Sequence, residues 1–100
     1  MSEMVNHPSH YQQAGRKECI VEMLENYGAE TMVIFCLTNA YKYLYRAGEK
    51  ANNSYEQDVR KATWYYNYAN GLLEQYKGIW AIRLSSLYKD IMNKLIELGV

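Results

Sequence analysis

Apolar residues recur in steps of three and four along most of this chain, and no stretch alternates convincingly with period two. That periodicity predicts helices and no strand. Cys19, Ile20, Met23, Leu24 and Tyr27 give one buried face to a short helix over 16–27, and Gly28 follows where a left-handed cap is wanted. Val33, Leu37, Ala40, Leu44 and Ala47 make the stripe of a second helix over 30–47, with Gly48 suited to its C-terminal cap. A polar turn over 49–53 leads into Ser54-x-x-Gln57, which matches a capping box. The longest helix, 54–76, buries Tyr55, Val59, Ala62, Tyr66, Ala69, Leu73 and Tyr76. It would run about 35 Å at the helical rise per residue. After a break at 75–78, a last helix over 79–98 restarts near Ser85-Ser86 and ends at Gly99. Leu84, Leu87, Ile91, Leu95 and Leu98 form a narrow seam on it, suited to packing across the bundle or zipping against another copy.

The expected fold class is therefore all-α: a small bundle of about four helices with an extended N-terminal arm, forming oligomers. The chain divides into an arm over 1–15, a helical core over 16–76 and a C-terminal helix over 77–100.

A second stripe accompanies the apolar one on each long helix. Asn39, Lys42 and Arg46 share one face of the second helix, and Lys50 lies a turn further on. Asp58, Lys61, Tyr65 and Tyr68 repeat the pattern on the third helix. A solvated face is the ordinary fate of such residues. An antiparallel hairpin would instead turn both stripes into one groove, where an ammonium and a guanidinium grip an anion such as phosphate. A salt bridge from Lys42 or Arg46 to Asp58 is the structural alternative.

Charge sharpens this picture. Eleven basic and eleven acidic residues cancel, which argues against generic nucleic-acid binding yet allows a local anion site. Eleven tyrosines stand against one phenylalanine, a composition suited to groove walls, base-stacking platforms and contacts between subunits. Two cysteines without a secretory signal point to a reducing, cytoplasmic compartment. No apolar run approaches the roughly 20 residues that span a bilayer.

The arm carries Asn6-His7-Pro8-Ser9-His10-Tyr11. Pro8 holds His7 extended, so the arm has a defined shape wherever something anchors it. Two histidines without further ligands at zinc spacing make a poor metal site. They suit backbone hydrogen bonding or an anion contact instead. The chain contains no P-loop signature, no G-x-G-x-x-G and no H-E-x-x-H. A catalytic base, were there one, would come from His7, His10 or Asp58.

Three blocks carry a family likeness: Val5 to Tyr11, Asn39 to Lys50, and Asp58 to Tyr66. Their His-Pro-x-His-Tyr arm, Asn-x-x-Lys-Tyr-x-x-Arg helix and Asp-x-x-Lys-Ala helix resemble the SaV-like family of small phage and prophage proteins. Thr38 replaces a glycine common in that family, and nothing from about Gly78 onward belongs to the likeness. The same domain occurs in a coliphage kinase of deoxynucleoside monophosphates that lacks a P-loop. The resemblance implies a nucleotide-handling site at His7, His10, Tyr11, Asn39, Lys42, Arg46, Lys50, Asp58 and Lys61, and the tyrosine-bearing stripe adds Tyr65.

Two nucleotide-handling functions fit these residues. One is a cytoplasmic phage protein that sequesters a nucleotide, such as a cyclic defence signal of the host, in a basic tyrosine-lined groove with no cofactor. The other is phosphoryl transfer, with magnesium and ATP, to a nucleoside monophosphate. A host-protein interaction module is a third possibility.

Overall fold

The computed structural model describes residues 18–49 and 54–100, apart from the side chains at 77, 78 and 80. Helix α1 runs Cys19–Tyr45 and helix α2 runs Tyr55–Gln75. A 3-10 segment, Lys77–Leu84, leads to helix α3, Ser86–Glu97. The described residues contain no strand.

The helix count differs from the expected four, because the stretches 16–27 and 30–47 join into the single element α1. The interruption at Gly28 is nonetheless real: its backbone sits at φ 87 and ψ 162 inside α1. The positive φ is the glycine property the sequence signals, but the ψ is extended where a left-handed cap would be helical. The chain therefore turns at Gly28 and resumes a helix directly, without a loop.

The capping box is present as read: the Ser54 hydroxyl accepts from the Gln57 backbone N–H at 3.1 Å, and the Gln57 side chain accepts from the Ser54 N–H at 3.4 Å. Ser85 does the same work for α3, accepting from the Tyr88 N–H at 3.1 Å. That capping role accounts for a serine that carries no nucleophile signature.

Helices α1 and α2 pack as an antiparallel hairpin, with Tyr43 of α1 against Lys61 and Tyr65 of α2. Val33, Leu37 and Ala40 from the expected stripe are buried, joined by Met32 and Cys36. From α2, Ala62, Ala69, Leu72 and Leu73 close the core. The ends of the expected α2 stripe, Tyr55 and Tyr76, are exposed. The 3-10 segment and α3 complete the core with Ile82, Ile91 and Leu95, and an Arg83–Glu74 ion pair at 3.6 Å ties the segment to the end of α2. The C-terminal seam thus splits, with Ile91 and Leu95 buried inside the protomer while Leu84 and Leu87 stay exposed.

No helix among the described residues is long and apolar enough to cross a membrane. Cys19 and Cys36 are free thiols, the first exposed and the second buried.

Candidate anion site between the long helices

The second polar stripe of α2 does not face water. Asp58 is fully buried at 0% exposure and Lys61 is buried at 7%. Helical spacing places them one turn apart, on the side of α2 that meets α1. Burying an acid and an amine is costly unless each is compensated. Asp58 is compensated in part by the turn between the helices: its Oδ2 accepts a hydrogen bond from the Gly48 N–H at 3.3 Å. Gly48 lies at φ 78. A Cβ built there would stand 3.3 Å from the Tyr55 Cβ, so the turn is both left-handed and tight.

Lys61 reaches across to Tyr43 on α1, with its Nζ 5.4 Å from the ring centroid. The Lys42 Nζ lies 4.5 Å from the same centroid and the Arg46 guanidinium carbon 4.9 Å. Three cations, Lys42 of α1, Arg46 at its C-terminal cap and Lys61 of α2, therefore gather on one phenol ring. Each such contact stabilises by about 0.5–1 kcal/mol when exposed and about 2 when desolvated. The geometry also keeps any two of the cations within about 11 Å, close to a Debye length at physiological salt. Their mutual repulsion is only partly screened, and an anion bound among them would relieve it.

Arg46 adds a second sign of an unmet demand. Its Nε is buried and finds no hydrogen-bond partner among the described residues. Buried donors are nearly always paired, and an orphan calls for a partner such as a ligand oxygen.

Aromatic rings extend from the cations along the hairpin. Tyr43 stacks on Tyr65, with centroids 5.9 Å apart and planes at 13°. Tyr65 meets Phe35 edge-on at 6.2 Å and Trp64 edge-on at 5.2 Å. Trp64 stacks on Tyr68 at 5.3 Å and 22°. Cations at one end and π-faces along the wall are the two components that recognise phosphate and base.

Of the residues singled out from sequence, Lys42, Arg46, Lys61 and Tyr65 come together here. Asp58 is adjacent but turned to the Gly48 backbone. Lys42 and Arg46 both lie over the Tyr43 ring, so a phenol gathers these two cations. Asn39 is half-buried on the same face, and its amide donates back to the Phe35 carbonyl at 2.8 Å. His7, His10, Tyr11 and Lys50 lie outside the described residues. Sequence reasoning missed Tyr43, the centre of the cluster. Its one local signal is that it precedes Arg46 by three positions, a spacing that sets the two side by side on a helix surface.

Residues 5–67 match the family described as a protein of unknown function, DUF3310. The chain belongs to that family. The DUF3310 match takes in Tyr43 and every cation around it, and it ends before Tyr68 and the whole C-terminal part. No curated protein and no solved structure matches the chain.

Proposed function

We propose that this DUF3310 protein binds a phosphate-bearing nucleotide in the groove between α1 and α2, and sequesters it without converting it. The observation that supports the reading is the convergence of Lys42, Arg46 and Lys61 on the Tyr43 ring. In this arrangement the cations take the phosphate oxygens, and the Arg46 Nε supplies a donor left over from folding. In this reading Tyr43, Tyr65 and Trp64, already in contact with one another, form the aromatic wall beside which a base would lie. Stacking on an aromatic side chain contributes about 1–3 kcal/mol per base.

The likeness to SaV-like phage proteins extends the proposal. On that reading the protein is phage-encoded, works in the cytoplasm of the infected bacterium, and holds a nucleotide signal of host defence, cyclic nucleotides included. Phosphoryl transfer is the competing reading, and it needs a carboxylate to hold magnesium or move a proton. Asp58 is buried and already engaged by the Gly48 N–H, which favours binding over turnover.

Calorimetric titration of the full chain with mono-, di- and cyclic nucleotides tests the proposal. The expected result is saturable binding that weakens at least about tenfold in Lys42→Ala and in Arg46→Ala, a loss of about 1.4 kcal/mol each. Absence of binding across the panel at millimolar ligand would sink it. Diphosphate formed from ATP, magnesium and a deoxynucleoside monophosphate, and abolished by the same variants, would replace sequestration by catalysis.

A further inference from the structure

Among the described residues, the C-terminal helix carries a face without a partner, whose chemistry is complementary to itself. Leu84 and Leu87, where the 3-10 segment passes into α3, are exposed at 76% and 55%. The inner positions of α3, Ile91 and Leu95, are already spent on the protomer's own core. Leu87 therefore belongs to a flank of α3 and not to the side that packs into the core.

That flank continues in a defined order. Leu87, Asp90, Lys94 and Leu98 follow in steps of three, four and four, which keeps them on one side of the helix. Asp90 and Lys94 are exposed, and Leu98 is half-buried at the helix end. The order along the helix is apolar, acid, base, apolar. Reversing the helix and laying it on itself sets Leu87 beside Leu98 of the other copy. The same reversal sets Asp90 near Lys94 of the other copy, and Lys94 near its Asp90. A twofold axis near the middle of α3 makes both contacts twice, as an isologous interface requires.

Two further facts favour a second copy as the occupant. The chain has no net charge, so copies approach without long-range repulsion. The described residues also form a plate, 41 × 38 × 17 Å, a shape that leaves much surface for each core residue.

We infer that two copies of this chain pair antiparallel along the Leu87–Leu98 flank of α3, through Leu87 and Leu98 and reciprocal Asp90–Lys94 ion pairs. The inference does not depend on the nucleotide reading, because the flank lies outside both the cation cluster and the DUF3310 match.

Sedimentation equilibrium of the full chain, wild type and variants, over micromolar concentrations tests it. The wild type is expected to dissociate from dimer to monomer on dilution. Leu87→Lys should be monomeric throughout, with helix content and melting temperature retained. Asp90→Lys and Lys94→Asp should each raise the dimer dissociation constant at least about tenfold. The combined Asp90→Lys/Lys94→Asp chain should recover to within about threefold of wild type. A charge pair confined within one helix would change none of these masses. A monomeric wild type, an undisturbed mass in Leu87→Lys, or a double exchange no better than the single ones would overturn the inference.

Discussion

The Asp58 carboxylate accepts a hydrogen bond from the Gly48 N–H at 3.3 Å and thereby joins the first turn of α2 to the end of α1. Arg46 lies two residues before Gly48, and Lys61 lies three residues after Asp58. The bond therefore holds the two cation-bearing elements in register. Asp58→Ala leaves the Gly48 N–H without this acceptor and removes a buried negative charge close to buried Lys61. Loss of such a bond costs about 1–3 kcal/mol. For a chain of this size the melting temperature should fall by roughly 5–20 °C. Asp58→Asn keeps an acceptor and should lose about half as much. Thermal unfolding followed by circular dichroism measures both.

Cation crowding around Tyr43 predicts a trade between stability and binding. Lys42→Gln removes the exposed member of a like-charge cluster and should leave the melting temperature equal or slightly raised. The wild type should gain several degrees in about 10 mM inorganic phosphate or pyrophosphate, because a ligand that binds only the folded state stabilises it. Lys42→Gln should lose most of that gain. A gain of equal size in both proteins would show that the anion acts elsewhere.

Tyr43→Phe keeps the π-face and should bind nucleotide within about threefold of wild type. Tyr43→Leu removes the face that all three cations share. Each cation then forfeits about 0.5–2 kcal/mol of attraction to the ring. The leucine variant should be less stable and bind at least about tenfold more weakly. Differential scanning fluorimetry and calorimetry of the pair check both effects.

Two glycines should respond with opposite signs. Gly28 sits at φ 87, where an L side chain is strained even though a Cβ there meets nothing within 4 Å. Gly28→Ala should cost about 1–3 kcal/mol. Gly71 lies within α2 with equally open space. Gly71→Ala should stabilise by about 0.5–1 kcal/mol through helix propensity. Urea unfolding of the two variants reads the difference.

Burial pushes the Cys36 thiol up from 9.0 to about 12, while Cys19 is exposed. Because the thiolate is the reactive form, an aromatic disulfide reagent at pH 8 should label one thiol quickly and the second only on unfolding. Since the folded state holds the Cys36 proton more tightly than the unfolded one, this group's stabilising effect is complete below pH 9. It declines as pH rises towards about 12. Cys36→Ser should remove that part of the alkaline slope.

Much of the fold is written locally. Ser54 and Gln57 cap α2 because their side chains reach only the neighbouring turn, and Ser85 starts α3 for the same reason. Gly28 and Gly48 mark positive φ wherever they stand in space. The apolar spacing of Val33, Leu37 and Ala40 needs nothing beyond helical periodicity to define a buried face.

What periodicity does not say is which of two stripes a neighbouring helix will cover. Asp58 and Lys61 share a spacing that serves equally for a wet face, and only the packing of α1 on α2 puts them inside. The same packing brings Lys61 to the ring of Tyr43, eighteen positions earlier in the chain, so the local spacing of Tyr43 and Arg46 does not announce that ring as a meeting point of three cations. Leu84 and Leu87 parted from Ile91 and Leu95 because the protomer core accepts one side of α3 and leaves the flank to solvent. The sequence by itself determined that the chain is helical and where α2 and α3 are capped, since these rest on contacts within one turn. Tertiary structure decided the cation cluster and the exposed leucines, since both depend on where a distant helix lies.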